Sequence, residues 1–233
     1  MGTKLRVGSV FARSIAVLGR NFTPFMLLAL VITLPDALYE HFLFPDGAQP
    51  AAGIVAYIPY FLVSFVLDCF LTAAITYRTV ADLRGTPADL FDVLRQSGSL
   101  ALPVLAVAVV TGLLTMLGMI ALVIPGVIVI TRLAVAIPVV VVERNGVRAS
   151  LERSQELTEG NRWRVFAVII ILSGIAYAVG AIIEDAFGHS GLATLIGWLV
   201  SAPISAWGSV AAAVLYHDLR LIKEREGSAG TLS

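Results

Sequence analysis

Four charged side chains stand inside long apolar runs, and they are the residues of this chain best placed to do chemistry: Asp36, Asp68, Arg132 and Glu143. A charge near the centre of a bilayer costs about 3 kcal/mol or more, so it normally faces a bundle interior and has a partner. Asp36 follows Pro35 in the outer part of the first run, and Asp68 lies in the inner half of the second. Arg132 lies in the outer half of the fourth run, and Glu143 ends it. Counting depth from the run ends puts Asp36 and Arg132 at similar heights and predicts a pair between them, with Glu184 and Asp185 as rival partners for the arginine. A polar interior of this kind could bind a lipid phosphate or another anion. It could equally be an ion pair that fixes helix register. A carboxylate poised near neutrality would instead suit proton- or ion-coupled transport.

Catalytic arrangements are missing. His41, His189 and His217 are far apart, and no two of them have metal-ligand spacing on one helix. Ser173 and Ser205 have no neighbouring base. No phosphate-binding loop, dinucleotide fingerprint or nucleophile elbow occurs. The expectation is a protein that is not an enzyme and holds no cofactor and no metal. Nucleic-acid binding is disfavoured, because Glu152, Glu156 and Glu159 interleave with the basic residues of the same segment.

The elements that must position these residues are membrane spans. Hydrophobic residues make up 58% of the 233 residues and charged residues 14%, against roughly 25% charged in soluble domains. Six apolar stretches are long enough to cross a bilayer, over about residues 22–42, 54–77, 100–124, 127–142, 165–183 and 192–216. All but one of the 16 Lys and Arg residues fall in alternate gaps between them, Arg132 being the exception. The positive-inside rule then predicts a multi-pass protein with both termini in the cytoplasm. The first apolar run reads as a retained span, not a signal peptide. Cys69, the single cysteine, lies within a span and reads as a buried thiol.

Three segments with helical apolar spacing precede the odd-numbered spans: residues 5–19, 86–97 and 146–160. Thr86 is placed to cap the second of them, with Pro87 at its first helical position. Pro125-Gly126 is placed to turn span 3 into span 4. The fold class expected is all-α: a polytopic membrane bundle of six transmembrane helices, built as three parallel hairpin repeats. Each repeat is preceded by a cytoplasmic amphipathic interfacial helix. The whole chain, 1–233, forms a single membrane domain with repeat units at about 5–78, 86–143 and 146–217 and a polar tail at 218–233. Units one and three align at an offset of 140, matching Arg13, Ser14 and Asn21 with Arg153, Ser154 and Asn161. Five spans carry an internal proline: Pro35, Pro59, Pro103, Pro138 and Pro203. Gly197, Ser201, Ser205 and Ser209 form a small-residue stripe on span 6, suited to intrachain packing or to a homodimer. Tyr39, Phe42, Phe44, Tyr57 and Tyr60 read as outer interfacial anchors, and Tyr77, Trp163 and Tyr216 as inner ones.

Within residues 124–166 the chain carries Pro125, Gly126, Arg132, Pro138, Glu143, Arg153, Ser154, Gly160, Asn161, Arg162 and Trp163 in a pattern that resembles the YciC-like bacterial integral membrane proteins. That family is related to the membrane domain accompanying some glycerophosphodiester phosphodiesterases. The resemblance implies a bacterial inner-membrane location and a helical membrane fold. It brings no activity, since the phosphodiesterase domain is absent here. Two readings of function follow. In the first, the protein binds or moves a lipid or small amphiphile through its polar interior. In the second, it is a structural protein whose partner, a membrane protein or a second copy, docks on the interfacial helices or the span 6 stripe. Arg148 and Arg153 are placed to reach phosphates or Glu143, and the Gly160–Trp163 turn to join the third interfacial helix to span 5.

Overall fold

A computed structural model describes residues 4–43, 54–86, 89–187 and 191–230. Helices in these residues are α1 (Val7–Arg20), α2 (Phe22–Leu43), α3 (Ile54–Leu83), α4 (Leu90–Ala121), α5 (Val123–Leu133), α6 (Ala136–Glu143), α7 (Val147–Thr158), α8 (Arg162–Phe187) and α9 (Gly191–Gly230). No strand occurs among the described residues. Among the described residues, six stretches have the length and hydropathy of membrane spans: Phe22–Tyr39, Tyr57–Leu83, Leu90–Ala121, Val123–Glu143, Arg162–Phe187 and Leu195–Ser228. Arg164 and Glu184 are twenty residues apart on α8. At 1.5 Å per residue that is about 30 Å, the thickness of a bilayer's hydrocarbon core.

Several boundaries differ from the sequence expectation. The second interfacial segment and span 3 are one continuous helix of 32 residues, α4, whose N-cap is Asp89. Thr86 does not cap it; its Oγ1 donates to the carbonyl of Ala81 at the end of α3, and Pro87 lies outside the described residues. The turn into span 4 falls on Leu122, in extended backbone (φ −172°, ψ 151°). Pro125 and Gly126 sit inside the first turns of α5 instead. Span 6 and most of the polar tail form one helix, since the tail is rich in helix formers and carries an Arg220–Glu224 pair at i,i+4.

Span 4 is broken between α5 and α6. Pro138 has no N–H, so in a continuous helix the carbonyl of Ala134 would lose its donor and meet the proline ring. The chain restarts with Val135 as N-cap (φ −112°), which puts Pro138 in the first turn of α6, where no N–H is needed. Pro24 in α2 and Pro125 in α5 occupy the same third helical position. Pro35, Pro59, Pro103 and Pro203 lie inside longer helices.

The α4–α5 hairpin closes on two glycines. A Cβ on Gly126 would lie 2.9 Å from the Met119 backbone nitrogen, and one on Gly118 would lie 3.0 Å from the Gly126 Cα. Small residues at this approach let the two backbones touch.

The core occupies one half of the bundle. Buried apolar residues include Phe25 and Leu28 of α2, Leu71 and Ile75 of α3, Val104 and Val107 of α4, Val139 and Val140 of α6, and Ala206, Val210 and Tyr216 of α9. No residue of α4 after Ala108 or of α8 after Val168 is buried. In that far half Leu113, Leu117, Ile120, Ile124, Ile170 and Ile182 are exposed, as lipid-facing residues would be.

The core half is also the basic end. Arg13 pairs with Asp218, Arg20 with Asp82 at 2.9 Å and Arg153 with Glu143 at 3.6 Å. These contacts tie α1 to α9 and to the end of α3, and α7 to the end of α6. Each of α1, α4 and α7 buries one face at the same spacing: Val10, Ser14 and Val17; Val93, Ser97 and Leu100; Ser150, Ser154 and Leu157.

Candidate functional site

The break in span 4 leaves a backbone acceptor in the bundle. In a continuous helix the carbonyl of Arg132 would accept from the N–H of Ala136, four residues on. Here it accepts instead from the hydroxyl of Ser154 at 2.8 Å and from that of Thr158 at 3.4 Å. Ser154 and Thr158, one turn apart on α7, are both fully buried. Two side chains of one helix therefore satisfy a carbonyl freed in another, as buried backbone requires. The contact places Arg132 beside the last turn of α7, close to the start of α8, and not in the half of the span remote from α7.

The Arg132 side chain is partly buried. Its Nε is shielded from solvent and has no hydrogen-bond partner among the described residues. No ion pair to Arg132 occurs among the described residues either. Asp36 belongs to α2, which packs chiefly on α3 and α9, and Arg132 to α5, which packs on α4, α7 and α8. The Asp36 side chain itself lies outside the described residues. The Asp68 side chain, on α3, is exposed. Glu184 and Asp185 are exposed near the end of α8 remote from α7.

Glu143 belongs to a different cluster. Tyr216 donates its hydroxyl to Glu143 Oε1 at 2.9 Å, and the Arg153 guanidinium lies 3.6 Å from the same oxygen. Arg153 also bonds Glu156 at 3.0 Å. Arg153 thus reaches Glu143, whereas Arg148 pairs with Glu152 at 2.8 Å. That bond raises the Arg148 pKa further above its ordinary value. Tyr216 was expected as an interfacial anchor, but only 1% of it is exposed. Its hydroxyl can be buried because Glu143 accepts its hydrogen bond. Sequence spacing could not find this contact, since 73 residues separate the partners.

The α7–α8 joint follows its sequence. Gly160 takes φ +81°, a conformation that favours glycine, and ends α7. Asn161 is buried, and its Oδ1 accepts from the N–H of Leu5 at 3.0 Å. Its carbonyl accepts from the N–H groups of Arg164 and Val165, which starts α8. Asn21 does the same for Phe25 at the start of α2. Trp163 is 81% exposed, as an interfacial anchor would be. Arg162 has a shielded Nε without a hydrogen-bond partner among the described residues.

The span 6 stripe divides. Ser209 is buried and its hydroxyl lies 3.4 Å from Thr72 Oγ1 on α3. Gly197 faces Ile183 of α8, while Ser201 and Ser205 stay exposed. The face of α9 that packs is Ala202, Ala206 and Val210. Cross-chain contacts that the sequence did not reveal also hold α1. Trp207 Nε1 donates to Ser14 Oγ at 2.9 Å, and Phe11 meets the Trp207 ring edge-on with centroids 5.8 Å apart. Cys69 is buried and free. No group of three or more metal-ligating side chains occurs among the described residues.

Residues 99–197 match the family model described as the membrane domain of glycerophosphoryl diester phosphodiesterase, a match to less than half of the chain. It contains the segment on which the resemblance rests and bears that resemblance out. No curated protein and no solved structure matches the chain. Six apolar helices and this family match make the chain a multi-pass membrane protein.

Proposed function

We propose that this protein is a non-catalytic membrane protein that binds a lipid or another anionic amphiphile, with Arg132 as its anchor. One observation carries the reading: a partly buried guanidinium in an apolar span, its Nε shielded, has no counter-charge among the described residues. A charge so placed is costly unless an anion meets it. The exposed apolar flanks of α4, α5 and α8 in the far half supply surface for acyl chains. The test is native mass spectrometry of the protein from a mild detergent. The expected result is a retained phospholipid that is lost in Arg132→Leu. A folded Arg132→Leu variant that keeps the same lipid would end this reading.

The architecture belongs to the same proposal. Three parallel units, each opening on an interfacial helix, are supported by the recurring buried face of α1, α4 and α7. The fully buried serines Ser14, Ser97 and Ser154 stand at its centre. A bacterial inner membrane with the basic end and both termini in the cytoplasm is supported by the gathering of Arg13, Arg20 and Arg153 at one end. Accessibility of single cysteines at positions 148 and 185, in a Cys69→Ser background, tests that sidedness.

A second reading, a structural protein acting through a membrane partner, is favoured by one observation. Ser201 and Ser205 remain exposed on α9 after the chain has packed, and small residues at this spacing suit another helix.

A further inference from the structure

We propose that the recess where α1 meets the α7–α8 joint is a phosphate site for an anionic phosphodiester lipid of the leaflet at the basic end. The proposal rests on the lipid reading above but concerns a different pocket from the Arg132 anchor.

The recess has a volume of about 560 Å³ and is walled by Arg162, Trp163 and Arg164 of α8, by Glu159 and Asn161 of the joint, and by Val7 of α1. Its guanidiniums are not neutralised from within. Arg162 has no ion pair among the described residues and a shielded Nε without an acceptor. Among the described residues, Arg164 bonds only the neutral Oδ1 of Asn161, at 3.3 Å. The first turn of α8 adds the positive end of a helix 26 residues long. Lys4 and Arg6, both exposed, flank Leu5, whose N–H is tied to Asn161. Against the two arginines of the wall stands one acid, Glu159, which leaves a single net positive charge.

That balance selects the anion. Arginine forks suit phosphate oxygens, while a carboxylate in the wall disfavours a second negative charge on the ligand. A singly charged phosphodiester fits this better than a phosphomonoester. The surroundings select its source. Trp163 is exposed at the rim, Ala167 lines the recess one turn on, and Ile170 and Ile171 continue the same helix as exposed apolar surface, 54% and 43% accessible. A lipid seated here places its phosphate between Arg162 and Arg164 and its chain along α8.

The experiment titrates the purified full-length chain with dioleoylphosphatidylglycerol and reads bound lipid by native mass spectrometry. Arg162→Gln/Arg164→Gln is compared with Arg144→Gln/Arg148→Gln, an equal charge change at exposed positions outside the recess, and with Arg132→Leu. Melting temperatures identify variants that fail to fold, and Trp163→Ala, which leaves the charges intact, then stands in for the double variant. The expected result is affinity about tenfold weaker in the recess variant, with the control pair unchanged. Equal affinity in the folded recess variant overturns the proposal. If only Arg132→Leu loses the lipid, the anchor stands and this site falls; if only the recess variant loses it, the reverse holds. Displacement of the lipid by millimolar inorganic phosphate, or tighter binding of phosphatidic acid, overturns the choice of a phosphodiester lipid.

Discussion

Ser154 donates its hydroxyl to the backbone carbonyl of Arg132 at 2.8 Å, joining α7 to the broken span 4 across 22 residues of chain. The bond follows from Pro138, which breaks the helix, and from the burial of the acceptor that the break releases. The same contact fixes where the Arg132 side chain starts, beside the last turn of α7.

Removing that donor strands a buried carbonyl. Ser154→Ala is expected to cost about 1–2 kcal/mol, because Thr158 at 3.4 Å is a poor substitute, and Ser154→Ala/Thr158→Val more than either alone. Thermal melting in detergent measures it. A double variant that melts with the parent would show that the carbonyl has another donor.

The glycine hairpin makes a contrasting pair. Gly126→Ala forces its Cβ to within 2.9 Å of the Met119 backbone, so α4 and α5 must separate, at a cost of about 1–3 kcal/mol. Gly174→Ala on α8 meets nothing within 4 Å and is expected to be neutral or slightly stabilising. Equal melting temperatures for the two variants would contradict the close approach.

Glu143 and Tyr216 should behave as a coupled pair. Glu143→Leu leaves a buried hydroxyl without its acceptor and is expected to destabilise by about 1–3 kcal/mol. In a Tyr216→Phe background the same change should cost less. A double-mutant cycle gives the coupling, and purely additive effects would mean that the bond contributes nothing.

The small-residue stripe separates packing from association. Ser209→Leu places bulk where α9 meets α3 and is expected to unfold the bundle locally. Ser201→Leu/Ser205→Leu changes exposed positions and should leave the fold intact. Analytical ultracentrifugation of that folded variant decides the partner reading: loss of a dimer supports it, and an unchanged monomer removes it.

Much of the architecture is legible residue by residue. Six apolar runs, the Gly160 helix end, the start of α8 at Asn161 and the first-turn place of Pro24 follow from local rules of length, hydrogen bonding and φ. The Arg153–Glu143 contact is also within reach of the sequence, because only ten positions separate the partners. The placement of Pro125 fails for a local reason too: a proline suits a turn and a helix's first turn equally, and only the neighbouring helix decides between them.

What the sequence alone determined is which segments must leave water and which backbone positions must bend, since hydropathy and the lack of a proline N–H act over a few residues. Only the tertiary structure decided where polar groups find partners. Tyr216 lies in the core because Glu143 arrives from another helix, and the Arg132 carbonyl is satisfied because Ser154 does. Trp207 is spent on Ser14 and not on the interface. Hydrogen bonds and ion pairs form between groups that packing brings within about 3 Å, and no periodicity along the chain encodes that distance.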